Sequence, residues 1–400
     1  MRLIKIMMKV FLWGVVGVVV LVGCLLGLMG VDHTRETILQ TPTGPFAVGR
    51  TTYFWSDPVR VDPMAPQAGT KRELAAWVWY PAAPKQPSDT PDDYMPAPWR
   101  NAMNGGWFIT LMNRDSSRVR AHSLRDAAVS PEQRQYPVVL MRPGLAALTT
   151  SYTSLAEDLA SHGYVVVGFD APYRSLVVVF PDGRVIKRAP QNNLDLVGGA
   201  QTVPLANALL EDWTADTGFA LDKLEQLNAS DPSGRFLGRL DMQRVGMFGH
   251  SLGGATALQF CHDDSRCKAG IDVDGLPLGG VIAGGVTQPF MFLLSDHSGE
   301  SGAEKLQVMG DMRSIYDRLP ADRRLMITIR GANHYGFSDD TKNQVAMGLM
   351  RTLGRKMGGH RQIAITEHYI STFFDVYLKG APASELTSIE RYPEVEYFKE

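Results

Sequence analysis

The pentapeptide Gly249-His250-Ser251-Leu252-Gly253 sets a serine between two glycines, where the apolar run "RVGMF" gives way to the helical pattern "GATALQF". A serine hydroxyl is a weak nucleophile until a base takes its proton, so chemistry here requires a histidine oriented by a carboxylate and donors for a developing oxyanion. Gly-x-Ser-x-Gly between a strand and a helix is the nucleophile-elbow pattern, in which the glycines permit a sharp turn and close helix packing. Ser251 therefore reads as a nucleophile. The plainer reading is a small residue at a tight turn.

Of the nine histidines, His334 in "RRLMITIRGANHYGF" follows the last strong strand signal, where the base of an α/β-hydrolase arrangement belongs. His250 adjoins the serine, but neighbouring residues at such a turn point apart, so it reads as packing. His162, His262, His297, His360 and His368 read as surface or capping residues. Three acids fit the order serine, acid, histidine: Asp272 and Asp274 in "GIDVDG", and Asp296 one strand later. Strand alternation puts Asp272 and Asp274 on one side, and pattern alone does not separate them. Asp274 lies nearer the strand's carboxyl end, where sites in open α/β sheets form. Asp296 fits equally a cap at the end of its own strand. The oxyanion donors expected are the backbone N–H groups of Leu252, after the nucleophile, and of Leu145 in "RPGLAAL", after an earlier strand. A simple Pro-Gly turn is the alternative for that loop.

Positioning these residues requires a sheet with helical crossovers. From Tyr136 onward, short apolar runs without alternation ("YPVVLMRPG", "YVVVGFDAP", "KAGIDVD", "QPFMFLLSD", "RRLMITIRG") exchange with helical patterns such as "SYTSLAEDLASHG", "TVPLANALLEDWTADTGFALDKLEQLN" and "RQIAITEHYISTFFDVYLKG". Strands buried on both faces and joined by helices imply an α/β fold with a mostly parallel central sheet and helices on both faces. Upstream, "TGPFAVGRTTYFWSDP" and "KRELAAWVWYPA" read as early strands, and "SLVVVFPDGRVIKR" as a hairpin turning at Asp182-Gly183. Residues 82–130, rich in proline and polar side chains, read as an insertion in a catalytic domain spanning 32–400.

Residues 1–31 differ in character: Val10 to Val31 is apolar apart from glycines and Cys24, and Arg2, Lys5 and Lys9 precede it. The run is long enough to span a bilayer, and positive charge before it places the rest outside the cytoplasm. "LVGC" ending at Cys24 also matches a lipobox, which leaves three readings: anchor, lipoprotein lipidated on Cys24, or cleaved signal. In such a compartment Cys261 and Cys267 read as a small disulfide loop, the alternative being two unpaired thiols. No second Cys or His pair completes a tetrahedral metal site, so neither metal nor organic cofactor is expected. The 40 Lys and Arg nearly balance the 42 Asp and Glu, which argues against a nucleic-acid partner. Oligomeric state is not legible.

"TGPFAVG", "WVWYPA", "LAEDLASHGYVVV", "FPDGRV", "GHSLGGATA", "AGIDVDG", "TIRGANH" and "FFDVYLKG" occur in the order in which they occur in a known family. The chain after the anchor resembles the secreted platelet-activating-factor acetylhydrolases and their bacterial relatives in the α/β-hydrolase superfamily. The resemblance implies that Asp274 is the acid. It implies hydrolysis of short or oxidised acyl esters of phospholipids without calcium, with other small or polymeric esters used by relatives. Where the family's oxyanion loop usually begins His-Gly-Leu-Gly, this chain has Pro143-Gly144-Leu145-Ala146. The expectation is a serine ester hydrolase acting on a small-molecule or lipid ester. Its rivals are a lipase, a polyester or dienelactone-type hydrolase with the same residues, and an inactive binding protein of the same fold.

Overall fold

In the computed structural model, which describes residues 2–103, 106–145, 147–192, 202–299, 301–339, 341–342, 344–352, 359–387 and 392–398, the N-terminal apolar run is one continuous helix, α1 (Arg2–His33). It is long and apolar enough to cross a membrane, and side chains such as Phe11, Trp13 and Leu21 stand exposed along it. The strands β1 (Thr37–Ile38), β2 (Ala47–Val61), β3 (Lys71–Ala82) and β4 (Pro91–Asp93) lead to two short helices, α2 (Ala97–Ala102) and α3 (Trp107–Met112), and then to β5 (Val119–Arg125). The α/β part begins with β6 (Tyr136–Arg142), α4 (Thr153–Ser161) and β7 (Val165–Asp170). A hairpin of β8 (Val177–Val179) and β9 (Val185–Lys187) precedes the long helix α5 (Thr202–Ala229). Then come β10 (Leu240–His250), α6 (Leu252–Asp263), β11 (Cys267–Val273), α7 (Val281–Gly284), β12 (Phe290–Leu294), α8 (Ala303–Arg318) and β13 (Arg324–Ile329). The helices α9 (Gln344–Thr352) and α10 (His360–Lys379) and the edge strand β14 (Val395–Tyr397) complete the described chain.

The main sheet has the order β1-β5-β2-β3-β7-β6-β10-β11-β12-β13-β14, with β4 paired to β5. Neighbours from β7 through β13 are all parallel, and β3 and β14 pair antiparallel with this block. Alternate side chains enter two cores. Val139, Met141, Ile271, Val273 and Leu293 meet α4 and α10 on one face, while Val138, Leu140, Val167, Met247 and Phe292 meet α5, α6 and α8 on the other. That two-sided burial is why these strands carry no polar alternation.

The 82–130 segment does more than loop out from the domain. Its β5 runs parallel to β2, pairing Gly49 with Leu124 and Arg50 with Arg125, and so extends the sheet. The strand is fastened from α4, whose buried Glu157 accepts from the backbone N–H of His122 (2.9 Å) and of Ser123 (2.6 Å) and from the Ser123 hydroxyl. A strand held by a carboxylate from a distant helix carries little local pattern.

The last turns of α1 are joined to the body. Met29 is buried with Ala346 and Met347, flanked by Leu25, Leu111 and Met112. The buried Asp32 carboxylate accepts from Arg114 Nη2 (3.1 Å) and from the Gln344 N–H (2.6 Å), and the His33 ring bonds the Asn113 carbonyl (2.7 Å). Asp32→Ala leaves the Arg114 charge and the Gln344 amide without this acceptor, a loss of about 3 kcal/mol, the low end for a broken buried pair. Hydrogen exchange across Leu25–His33 and Gln344–Thr352 should quicken by on the order of a hundredfold in the full chain. Unchanged exchange would show that the junction does not depend on this carboxylate.

Candidate active site

β10 ends at His250 and α6 begins at Leu252, so the chain reverses at Ser251, whose backbone sits at φ 57° and ψ −123°. A non-glycine residue there carries strain of about 1–3 kcal/mol and persists only where its surroundings fix it. Here the Ser251 N–H donates to the Val273 carbonyl (2.9 Å), while its own carbonyl accepts from Gly254 (2.9 Å) and Ala255 (3.1 Å). The turn also needs close backbone approach. A Cβ on Gly249 would lie 2.1 Å from the Gly253 carbonyl oxygen, and one on Gly253 would lie 2.3 Å from that of Arg142.

Asp274 follows β11 with φ 53°, the same left-handed region as Ser251. Its side chain has no exposed surface and accepts on both oxygens: His334 Nδ1 lies 2.7 Å from Oδ2, and the Ser295 N–H 2.7 Å from Oδ1. Burial alone would raise its pKa, but hydrogen bonds from His297, His334 and Ser295 outweigh it and hold the carboxyl far below the usual range. His334 opens a short 3-10 turn, His334–Phe337, capped by Asn333 Oδ1 accepting from the Tyr335 N–H (2.9 Å). Because an ionised carboxylate only accepts, His334 Nδ1 is the donor and its Nε2 is left able to accept a proton. The His334 ring packs at 4.5 Å from that of His250, the residue before Ser251.

The alternation that put Asp272 with Asp274 stops at Val273, since the left-handed turn redirects the second side chain. Asp272 instead lies under α6: its Oδ1 accepts the Gly275 N–H (2.7 Å) and occupies the space where a Cβ on Gly254 would be. Burial, reinforced by the Asp274 charge, pushes its pKa up to about 8. At neutral pH Asp272 is protonated and Asp274 carries the charge. Asp296 fastens loops, accepting the Gly331 N–H (2.8 Å) and the Ser298 N–H (3.1 Å).

His297, expected at the surface or in a cap, is instead beside the acid, with Nε2 2.8 Å from Asp274 Oδ1. Nothing local to "SDHSG" announces this; the contact follows from the pairing of Val273 with Leu293, which brings Asp274 beside the residues after β12. His250 is buried and bonded through Nδ1 to Tyr152 Oη (2.7 Å), and burial lowers its pKa to about 3, so it stays neutral.

The loop after β6 borders the serine. A Cβ on Gly144 would stand 3.3 Å from Ser251 Cβ, and the Gly144 N–H donates to Tyr152 Oη (3.1 Å). Leu145 packs on the cluster of Leu209, Leu210, Trp213 and Leu252; Ala146 lies outside the described residues. Leu252 is the first residue of α6, where a backbone N–H has no partner within the helix. Beneath the loop, the buried Arg142 guanidinium sits between the rings of Phe169 (4.2 Å) and Trp213 (4.3 Å) and donates to the Phe169 carbonyl (2.7 Å). Burial lowers its pKa to about 10, which leaves it charged at neutral pH. Between the last turn of α6 and the start of β11, Cys261 and Cys267 are joined by a disulfide, and Cys24 is exposed on α1. Among the described residues no group of three His, Cys, Asp or Glu side chains is arranged to hold a metal ion.

The family model described as "Platelet-activating factor acetylhydrolase, isoform II" matches residues 36–197 and 198–366. The platelet-activating factor acetylhydrolase of Bos taurus is 26% identical over 61% of this chain and 57% of its own length, and that of Canis lupus familiaris 27% identical over 52% and 49%. The chain thus spans about half to three fifths of those mammalian relatives. A probable 1-alkyl-2-acetylglycerophosphocholine esterase of Arthroderma benhamiae is 24% identical over 90% of this chain and 93% of its own. Among solved structures, a ferulic acid esterase from Streptomyces cinnamoneus superposes with a TM-score of 0.72 at 26% identity, covering 91% of this chain and 100% of that one.

Asp272 ties the chemistry of the site to pH. A carboxyl near 3.9 unfolded and about 8 folded contributes stability that is complete below the unfolded value and is lost as pH rises through the folded one. Asp272→Asn has no proton to lose there. Between pH 6 and pH 9, the unfolding temperature of the wild type minus that of the variant should fall by several degrees, and a difference that stays constant with pH would refute the assignment.

Proposed function

The chain belongs to the platelet-activating factor acetylhydrolase isoform II family, and from that membership and the geometry of the site we propose that it is a serine hydrolase of short-acyl carboxylic esters. The observation that carries the reading is the 2.7 Å bond from His334 Nδ1 to the buried Asp274, with the His334 ring packed 4.5 Å from that of His250, the residue before a serine held in a strained turn. Ser251 Oγ attacks the ester carbonyl as His334 Nε2 accepts its proton, and the Asp274 charge stabilises the resulting imidazolium. The backbone N–H groups of Leu145 and Leu252 receive the oxyanion. His334 then protonates the leaving alcohol, and water, deprotonated by the same ring, hydrolyses the acyl-enzyme to acid and free serine.

The substrate we favour is a phospholipid with a short acyl group, in keeping with the acetylglycerophosphocholine esterase named for the fungal relative. The ferulic acid esterase neighbour supports a second reading, an ester of an aromatic acid. We read the body as lying outside the cytoplasm, tethered through α1 to the membrane that supplies the ester. Packing of Leu25 and Met29 against the body supports forms that retain these residues, whether uncleaved or cut and lipidated at Cys24.

A fluorophosphonate probe should label the wild type and not Ser251→Ala. Turnover of p-nitrophenyl acetate should fall at least about a thousandfold in Ser251→Ala and in His334→Ala. An unlabelled folded wild type, or equal labelling of Ser251→Ala, would refute the enzyme reading. Within an ester panel, hydrolysis of a feruloyl ester without hydrolysis of a 2-acetyl phospholipid would replace the first substrate with the second.

A further inference from the structure

We propose that His297 is a positioning residue: its Nε2–H holds one oxygen of the Asp274 carboxylate so that the other stays aimed at His334. The inference rests on the ester-hydrolase reading of Ser251, Asp274 and His334. It starts from a full set of donors around one buried anion. Oδ1 receives the Ser295 N–H (2.7 Å) and His297 Nε2 (2.8 Å), while Oδ2 receives the Ser295 hydroxyl (2.8 Å) and His334 Nδ1 (2.7 Å). Each oxygen thus has two donors, one from Ser295 and one from an imidazole. An ionised carboxylate has no proton to give, so His297 Nε2 carries the hydrogen of this bond.

The placement of His297 is built into the loop after β12. The His297 N–H donates to the Ser295 carbonyl (3.1 Å), and Lys305 Nζ donates to the His297 carbonyl (2.6 Å), which fixes the backbone on both sides of the ring. Asp296, between the two residues that touch Asp274, binds the Gly331 N–H (2.8 Å) and gives its own N–H to the Ala332 carbonyl (3.2 Å). Ser295-Asp296-His297 therefore grips the acid with its outer residues and the strand-to-His334 loop with its middle one. The separation of the two imidazoles is set by one tripeptide.

The consequence is orientational. Without His297, Oδ1 keeps only the Ser295 amide, and the carboxylate loses one of its four restraints against tipping about its last torsion, which is broad for such groups. His334 would then be held less firmly in its tautomer and ring angle, the two things the acid supplies to a base. The serine site, the oxyanion donors and the substrate contacts would be untouched. The loss should fall on kcat and leave KM in place.

The test uses the full chain, with active sites counted by fluorophosphonate, and compares His297→Ala, His297→Leu and His297→Gln on p-nitrophenyl acetate. Alanine and leucine should each lower kcat by on the order of tenfold, with KM changed by less than about twofold. Glutamine, whose amide nitrogen donates to the same oxygen, should recover most of the loss. The far-downfield proton resonance of His334 Nδ1–H should weaken in the alanine and leucine variants and persist in glutamine. Leucine fills the ring's volume without donating, so it decides the matter if alanine fails to fold. A kcat within about twofold of wild type in either donor-less variant, an equal loss in glutamine, or a loss confined to KM would overturn the proposal. A wild type that neither labels nor turns over ester defeats the hydrolase reading instead, and the resonance comparison still tests whether His297 orients the acid.

Discussion

A carboxylate with no exposed surface must find its solvation inside the protein, and Asp274 finds it in groups brought from two other strand ends. The Ser295 amide and hydroxyl come from the end of β12, and His334 comes from the loop after β13. This constraint couples the carboxyl ends of three adjacent parallel strands. The neighbouring Asp272 shows the contrast: buried with a single donor, the Gly275 N–H, and close to the Asp274 charge, its carboxyl is pushed up to about 8 and holds its proton.

Ser251 is attached to the same arrangement through the backbone. Ser251 donates to the carbonyl of Val273, the residue before Asp274, so the two left-handed residues of the site are separated by one hydrogen bond and one peptide. Glycines at 249 and 253 let α6 fold back onto β10 and onto the loop after β6, which carries Leu145. The buried Arg142 stiffens that loop from below between two aromatic rings. Strain at the serine is thus balanced by packing spread over three strands and one helix, a division of labour suited to a site that must not relax on its own.

The apolar helix is part of this framework as well. The loop that begins at His334 continues through Asp339, whose carboxylate accepts from the Thr153 and Ser154 N–H groups (both 3.0 Å), and on to Gln344, which binds Asp32 at the end of α1. Side chains at the end of α1 thus reach the same loop that carries His334.

Much of this architecture is legible in the residues themselves. The unbroken apolar strands, the helical crossovers and the glycine-flanked turn at Ser251 each rest on local rules of period and turn chemistry, and so does the anchor-length helix. The same local rules fail where the partner is remote. The strand at 119–125 is held by Glu157 from another helix, and alternation grouped Asp272 with Asp274 because it could not register the left-handed turn that begins at Asp274. His297 reads as an ordinary loop histidine until β11 and β12 are placed side by side. By itself the sequence determined the main strands and several of the helices of the α/β part and where a serine turn must lie, because those depend on neighbours within a few residues. The residue pattern left Asp272 beside Asp274, and only the tertiary structure decided how their side chains part and which histidines share Asp274, because those contacts are set by the register between strands about twenty or more residues apart.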